Sequence, residues 1–62
     1  MFTGFYDIKN RPINDGDLVL VPIVKDRLCR VKFSQKYNCF MLYSNDESYF
    51  FSEVYDYERV SA

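Results

Sequence analysis

Apolar and polar positions alternate along much of this chain with the period of β-strands. Residues 27–33 are the clearest case. Cys29, Val31 and Phe33 fall on one face, and Leu28, Arg30 and Lys32 on the other, as in a half-buried strand. Residues 18–24 are continuously apolar, as a strand covered on both faces would be. Pro22 has no amide to donate, which puts it at a sheet edge or a bend. Residues 34–38 form a polar connection of hairpin length, and residues 39–43 return as the partner strand. Residues 44–48 turn again, and residues 49–51 make a short aromatic strand. Over 52–60, Val54, Asp56 and Glu58 alternate with Tyr55, Tyr57 and Arg59, which favours a last strand. The competing reading is a short helical turn near the C-terminus, capped by Ser52 with Glu53 in its first turn.

Two turn clusters precede residue 18. In residues 7–12, Asn10 tolerates left-handed backbone and Pro12 fixes its own φ. In Asn14-Asp15-Gly16-Asp17, the glycine takes positive φ without steric cost. Together they predict a compact loop or short hairpin. The chain is therefore read as mainly β: a small five-stranded, strongly bent antiparallel sheet, or a Src-homology-like barrel that limits exposed edges. Its core is expected to hold Val19, Val21, Ile23, Cys29, Val31, Phe33, Met41, Phe51 and Val54.

Composition supports this fold and removes several functions. With 62 residues the chain is a single small domain, 1–62, and 48% of it is hydrophobic. That length excludes a two-domain enzyme cleft or a full dinucleotide-binding unit. Alanine occurs only at position 62, whereas Val, Ile, Phe and Tyr are frequent, which again favours strand over helix. There is no histidine, so Ser-His-Asp and Cys-His catalysis are ruled out. Asp15 and Asp17 are a pair of carboxylates without a histidine or a third ligand, so no catalytic, metal or cofactor residues are assigned. Cys29 and Cys39 lack zinc-ligand spacing; a disulfide between them is one reading, and reduced, buried thiols are the expected one, since nothing in the sequence reads as an export signal. No apolar run approaches a membrane span. Residues 1–5 do not resemble a signal peptide, and the expected location is the cytoplasm of a bacterial host cell.

The segment Thr3-Gly4, Asp7, Lys9-Asn10, Ile13 and Asp15-Gly16-Asp17-Leu18-Val19 resembles, in order and spacing, the opening of the YopX family. Arg11 stands where that family often has glycine, and Glu53-Val54 echoes its closing segment. The resemblance covers about a quarter of the chain. It implies a small β-barrel protein, commonly encoded by phages and prophages, with no established activity and no catalytic residues to carry over. Gly16-Asp17 followed by Val19 is also common in Src-homology-like barrels, where the aspartate accepts backbone amides; Asp17 is accordingly read as structural.

Net charge is −1, but it is unevenly distributed. Residues 46–62 carry Asp46, Glu47, Glu53, Asp56 and Glu58 against Arg59 alone, while residues 1–45 are mildly basic. The leading reading is a non-enzymatic module that binds a host protein and modulates or inhibits it, for instance by occupying the basic groove of a nucleic-acid-binding defence enzyme. Tyrosine suits such a surface because it is large, stiff and polar at its tip. The candidate residues are Tyr43, Tyr49, Glu53, Tyr55, Asp56, Tyr57 and Glu58. An alternative is a small nucleic-acid-binding barrel that grips single strands through Arg30, Lys32, Lys36 and Tyr37. A third is homo-oligomeric assembly, most simply a homodimer, through an exposed edge beside Pro22 or along the C-terminal strand.

Overall fold

The computed structural model describes residues 1–22 and 27–61. Two antiparallel sheets form. Strands β1 (Phe2–Tyr6) and β2 (Pro12–Asn14) make a hairpin. Strands β3 (Leu18–Val21), β4 (Arg27–Ser34), β5 (Cys39–Ser44), β6 (Glu47–Phe50) and β7 (Glu58–Ser61) make the five-stranded sheet, in the order β6-β5-β4-β3-β7. Strands β3 to β6 are thus a meander, and the last strand returns to pair beside the first. A 3-10 turn, Phe51–Glu53, sits between β6 and β7. The expected five-stranded antiparallel sheet and the turn near the C-terminus are both present. Residues 2–14 settle as a hairpin, giving a second sheet.

The turns follow local chemistry. Asn10, Asn38, Asn45 and Asp56 all have positive φ. Short polar side chains that hydrogen-bond locally tolerate this region best among residues with a Cβ. Between β2 and β3, Asp17 N–H donates to the Asn14 carbonyl at 3.1 Å around Gly16 at φ 93, a turn that requires positive φ at its third residue.

One face of the five-stranded sheet is dry. Val19, Val21, Cys29, Val31 and Leu42 pack there with Ile13 from the hairpin, Phe51 from the 3-10 turn, and Val54. Phe5 of β1 stacks on Phe51, ring centroids 4.2 Å apart and nearly parallel, so the hairpin and the turn close over this face together. Ile13 and Leu42 are additions to the expected core. Met41 is buried as expected, but cross-strand pairing to Lys32 and Phe50 sets it on the opposite, outer face.

Two expectations are corrected. Phe33 is 46% exposed, because it lies near the end of β4, where it meets Phe40 edge to face at 5.2 Å. Residues 52–60 are not one strand. Phe51 turns into the core instead of extending β6, and Asp56, with φ 58, interrupts the extended run, so β7 starts only at Glu58. The turn is capped by Glu53, whose Oε1 accepts Phe50 N–H at 2.8 Å, not by Ser52. Finally, β3 ends at Val21. The expected continuation through Ile23 and Val24, and the place of Ile23 in the core, lie outside the described residues.

Candidate functional site

The outer face of the sheet is built by register. Arg30 pairs with Tyr43 across β4 and β5, and with Leu18 across β3 and β4. Lys32 pairs with Met41, which pairs with Phe50 of β6. Leu28 pairs with Leu20. Side chains opposite each other in adjacent strands share a face, so this surface carries a ridge of Leu18, Leu20 and Leu28, then Arg30 beside Tyr43, then Lys32 beside Met41 and Phe50.

An open groove of about 570 Å³ runs over this surface, lined by Arg30, Lys32, Phe33, Tyr43 and Asn45. Arg30 is held in place by donating from Nη1 to the Gly16 carbonyl at 2.7 Å. Among the described residues, neither Arg30 nor Lys32 is in an ion pair. Beyond Phe50, Tyr37 meets the Phe50 ring edge to face at 5.0 Å, and Lys36 Nζ lies 5.2 Å from the Tyr37 ring centroid. Alternation places Arg30 and Lys32 on one face. It gives no sign of Phe33, whose parity points to the core, or of Asn45, which enters through the β5–β6 turn.

The acidic, tyrosine-rich candidates are dispersed, and most have internal partners. Glu58 bonds Lys9 Nζ at 3.0 Å and Arg11 Nη2 at 3.3 Å. Glu53 caps the 3-10 turn. Tyr57 is half-buried, packs on the core and meets Phe51 edge to face at 5.4 Å; burial pushes its hydroxyl pKa up, and the nearby Asp7 charge adds to this. Tyr49 packs against the core and donates from its hydroxyl to Glu47 Oε1 at 2.6 Å, which raises its pKa. Glu47 also pairs with Arg27 at 2.8 Å. Tyr43 belongs to the outer groove. That leaves Tyr55, 62% exposed, and the exposed Asp56.

A second polar cluster joins the hairpin to β3 and β7. Asp17, expected to be structural, is buried and accepts Asn14 N–H at 2.8 Å and Arg59 Nε at 3.1 Å. Asp7, whose side chain is fully buried, accepts four hydrogen bonds. Lys9 N–H at 3.1 Å and Arg11 N–H at 2.7 Å go to Oδ1, and Arg11 Nε at 3.0 Å and Arg59 N–H at 2.9 Å go to Oδ2. Burial by itself would raise the Asp7 pKa, but the two arginine backbone amides and the Arg11 guanidinium outweigh it and hold it at about 2. Arg11 Nη2 also donates to the Arg59 carbonyl at 2.7 Å, and Ile8 N–H to the Tyr57 carbonyl at 2.9 Å. Both main-chain groups of Arg59 are therefore satisfied by the hairpin. This blocks part of the C-terminal edge that an assembly reading would use.

Both cysteines are free; Cys29 is buried as expected, whereas Cys39 is only half-buried. No group of three Cys, Asp or Glu side chains among the described residues is placed to hold a metal ion. Compared with models of protein families, with curated proteins and with solved structures, the chain matches none.

Proposed function

We propose that this protein is a non-enzymatic module, of phage or prophage type, that binds a host protein and modulates it through the outer face of β4 and β5. The phage assignment rests on the resemblance of the N-terminal quarter to the YopX family. The choice of surface rests on one observation: register brings Arg30, Lys32 and Tyr43 to one face around an open groove that Phe33 also lines, with the cations outside any ion pair among the described residues. Interface anchors are typically aromatic rings and arginine, clustered and able to be desolvated together. The acidic C-terminal segment is a weaker candidate, because Glu53 and Glu58 serve the domain's own turn and hairpin.

The nucleic-acid reading keeps one observation in its favour. Lys36 over Tyr37, and Tyr37 on Phe50, extend the basic and aromatic strip beyond the groove, as a single-strand stacking platform would require. Against it stands a net charge of −1, since phosphate-driven binding needs many cations.

Affinity capture from bacterial lysate, with and without nuclease, separates the two. The proposed function predicts a stoichiometric protein that survives nuclease and is lost with the Lys32→Glu variant. Recovery of nucleic acid alone, or capture indifferent to Lys32, overturns it.

A further inference from the structure

Resting on this reading of the outer face, we infer that the groove takes an extended acidic segment of a protein, in which two carboxylates, two residues apart on the side facing the sheet, meet Arg30 and Lys32, and the apolar residues that flank them on that same side lie against Leu28, Phe33 and Tyr43. Arg30 and Lys32 are two residues apart on one strand and share a face. Their Cα atoms are therefore roughly 6.5–7 Å apart along β4, and an extended ligand repeats its side chains at the same interval.

The two cations contribute differently. Arg30, tethered to the Gly16 carbonyl at 2.7 Å, is partly ordered before binding, which lowers the entropic cost of association. Its planar guanidinium suits bidentate contact with a carboxylate. Lys32 supplies a mobile point charge on a flexible stem. The apolar part of the surface is substantial. Leu28 is 49% exposed and Phe33 nearly as much, and Tyr43 lines the groove together with the cations and Asn45. A polyphosphate strand would find two cations in the groove among the described residues, and a domain whose net charge is −1. An acidic peptide needs few charges and gains from the apolar walls, so charge complementarity here selects a protein segment.

The test is titration of the full ¹⁵N-labelled chain with three probes: a ten-residue Glu-Val peptide in which alternate positions read Val-Glu-Glu-Val and the others are serine, its Lys-Val counterpart with Lys in place of Glu, and a ten-residue oligothymidylate. The Glu-Val peptide is expected to shift the amides of residues 28–33 and 43–45. The Lys32→Glu variant, checked for an unchanged amide spectrum, should weaken its binding at least tenfold, and 0.5 M salt should weaken it several-fold. Equal binding of the Lys-Val peptide, tighter binding of the oligonucleotide on the same face, or no shift with any probe overturns the inference. If the peptide fails while lysate capture still depends on Lys32, the binding-module reading survives and only the acidic-segment assignment falls. If both fail, both fall.

Discussion

The carboxylate of Asp7 accepts the backbone N–H of Arg59 at 2.9 Å, across 52 positions of sequence. The Arg11 guanidinium bonds that same carboxylate and also the Arg59 carbonyl. Two side chains of the β1–β2 hairpin thus stand in for part of a sixth strand beside β7. The arrangement docks the hairpin and covers hydrogen-bonding groups on an edge that could otherwise pair with another chain.

Stability should therefore depend on the ionisation of Asp7. Its pKa falls from 3.8 to about 2 on folding. A lowered folded-state pKa gives stability that is fully present above pH 4 and is lost as pH falls through about 2. Solvent near so small a domain screens part of the effect, so the expected contribution is about 1–2 kcal/mol. The Asp7→Asn variant should lose about that much at pH 7, because the amide cannot accept all four hydrogen bonds. Its stability should also vary less between pH 4 and pH 2 than that of the wild type. Urea midpoints across that range decide the matter; parallel pH profiles for the two proteins would refute the role given to Asp7.

The sequence made some of this legible. The β4–β5 hairpin could be read directly, because strict alternation over residues 27–33 and a polar five-residue turn are local signals. The same alternation put Arg30 and Lys32 on one face. Their meeting with Tyr43 depends on register, which the turn sets and no side-chain pattern states. The segment after Phe50 misled because tyrosines alternating with carboxylates fit a strand equally well whichever way the rings point. The inward turn of Phe51 and the left-handed Asp56 decide that segment, and both follow from core packing. The role of Asp7 was invisible for a simpler reason: its decisive partner, Arg59, belongs to the last strand.

The tyrosines of the C-terminal segment should separate sharply on substitution. Tyr57 packs on the core and against Phe51, so Tyr57→Ala should cost about 2 kcal/mol, less than truncating a fully buried ring. Tyr55 is largely exposed, so Tyr55→Ala should stay within about 0.5 kcal/mol of wild type. Chemical denaturation of the two single variants checks this. Equal losses would mean that Tyr55 also packs against the domain.

The β4–β5 turn should be sensitive to backbone preference at Asn38, where φ is 56. Glycine adopts that conformation freely, so Asn38→Gly should leave stability unchanged or raise it by up to about 1 kcal/mol. Asn38→Val should cost about 1–2 kcal/mol, since a branched Cβ clashes there. Because this turn sets Arg30 opposite Tyr43, the valine variant should also disturb amide resonances along the groove. A valine variant as stable as wild type would show that the turn tolerates another conformation.

The two thiols should differ in reactivity. Cys29 is buried among Val19, Val31 and Leu42. Burial raises its pKa, against the opposing influence of Arg27 and a hydrogen bond with Ser44. The thiolate is the reactive form, so Cys29 is both shielded and poorly ionised at pH 8. Cys39, half-buried at the start of β5, is reachable by a small reagent. A maleimide added to the native protein at pH 8 should therefore label one thiol quickly and the second only as the domain opens. Denaturant should make both react at once, and Cys39→Ser should abolish the fast phase. Two fast thiols in the native protein would refute the burial of Cys29. No reactive thiol until a reductant is added would reveal a disulfide in place of the two free cysteines.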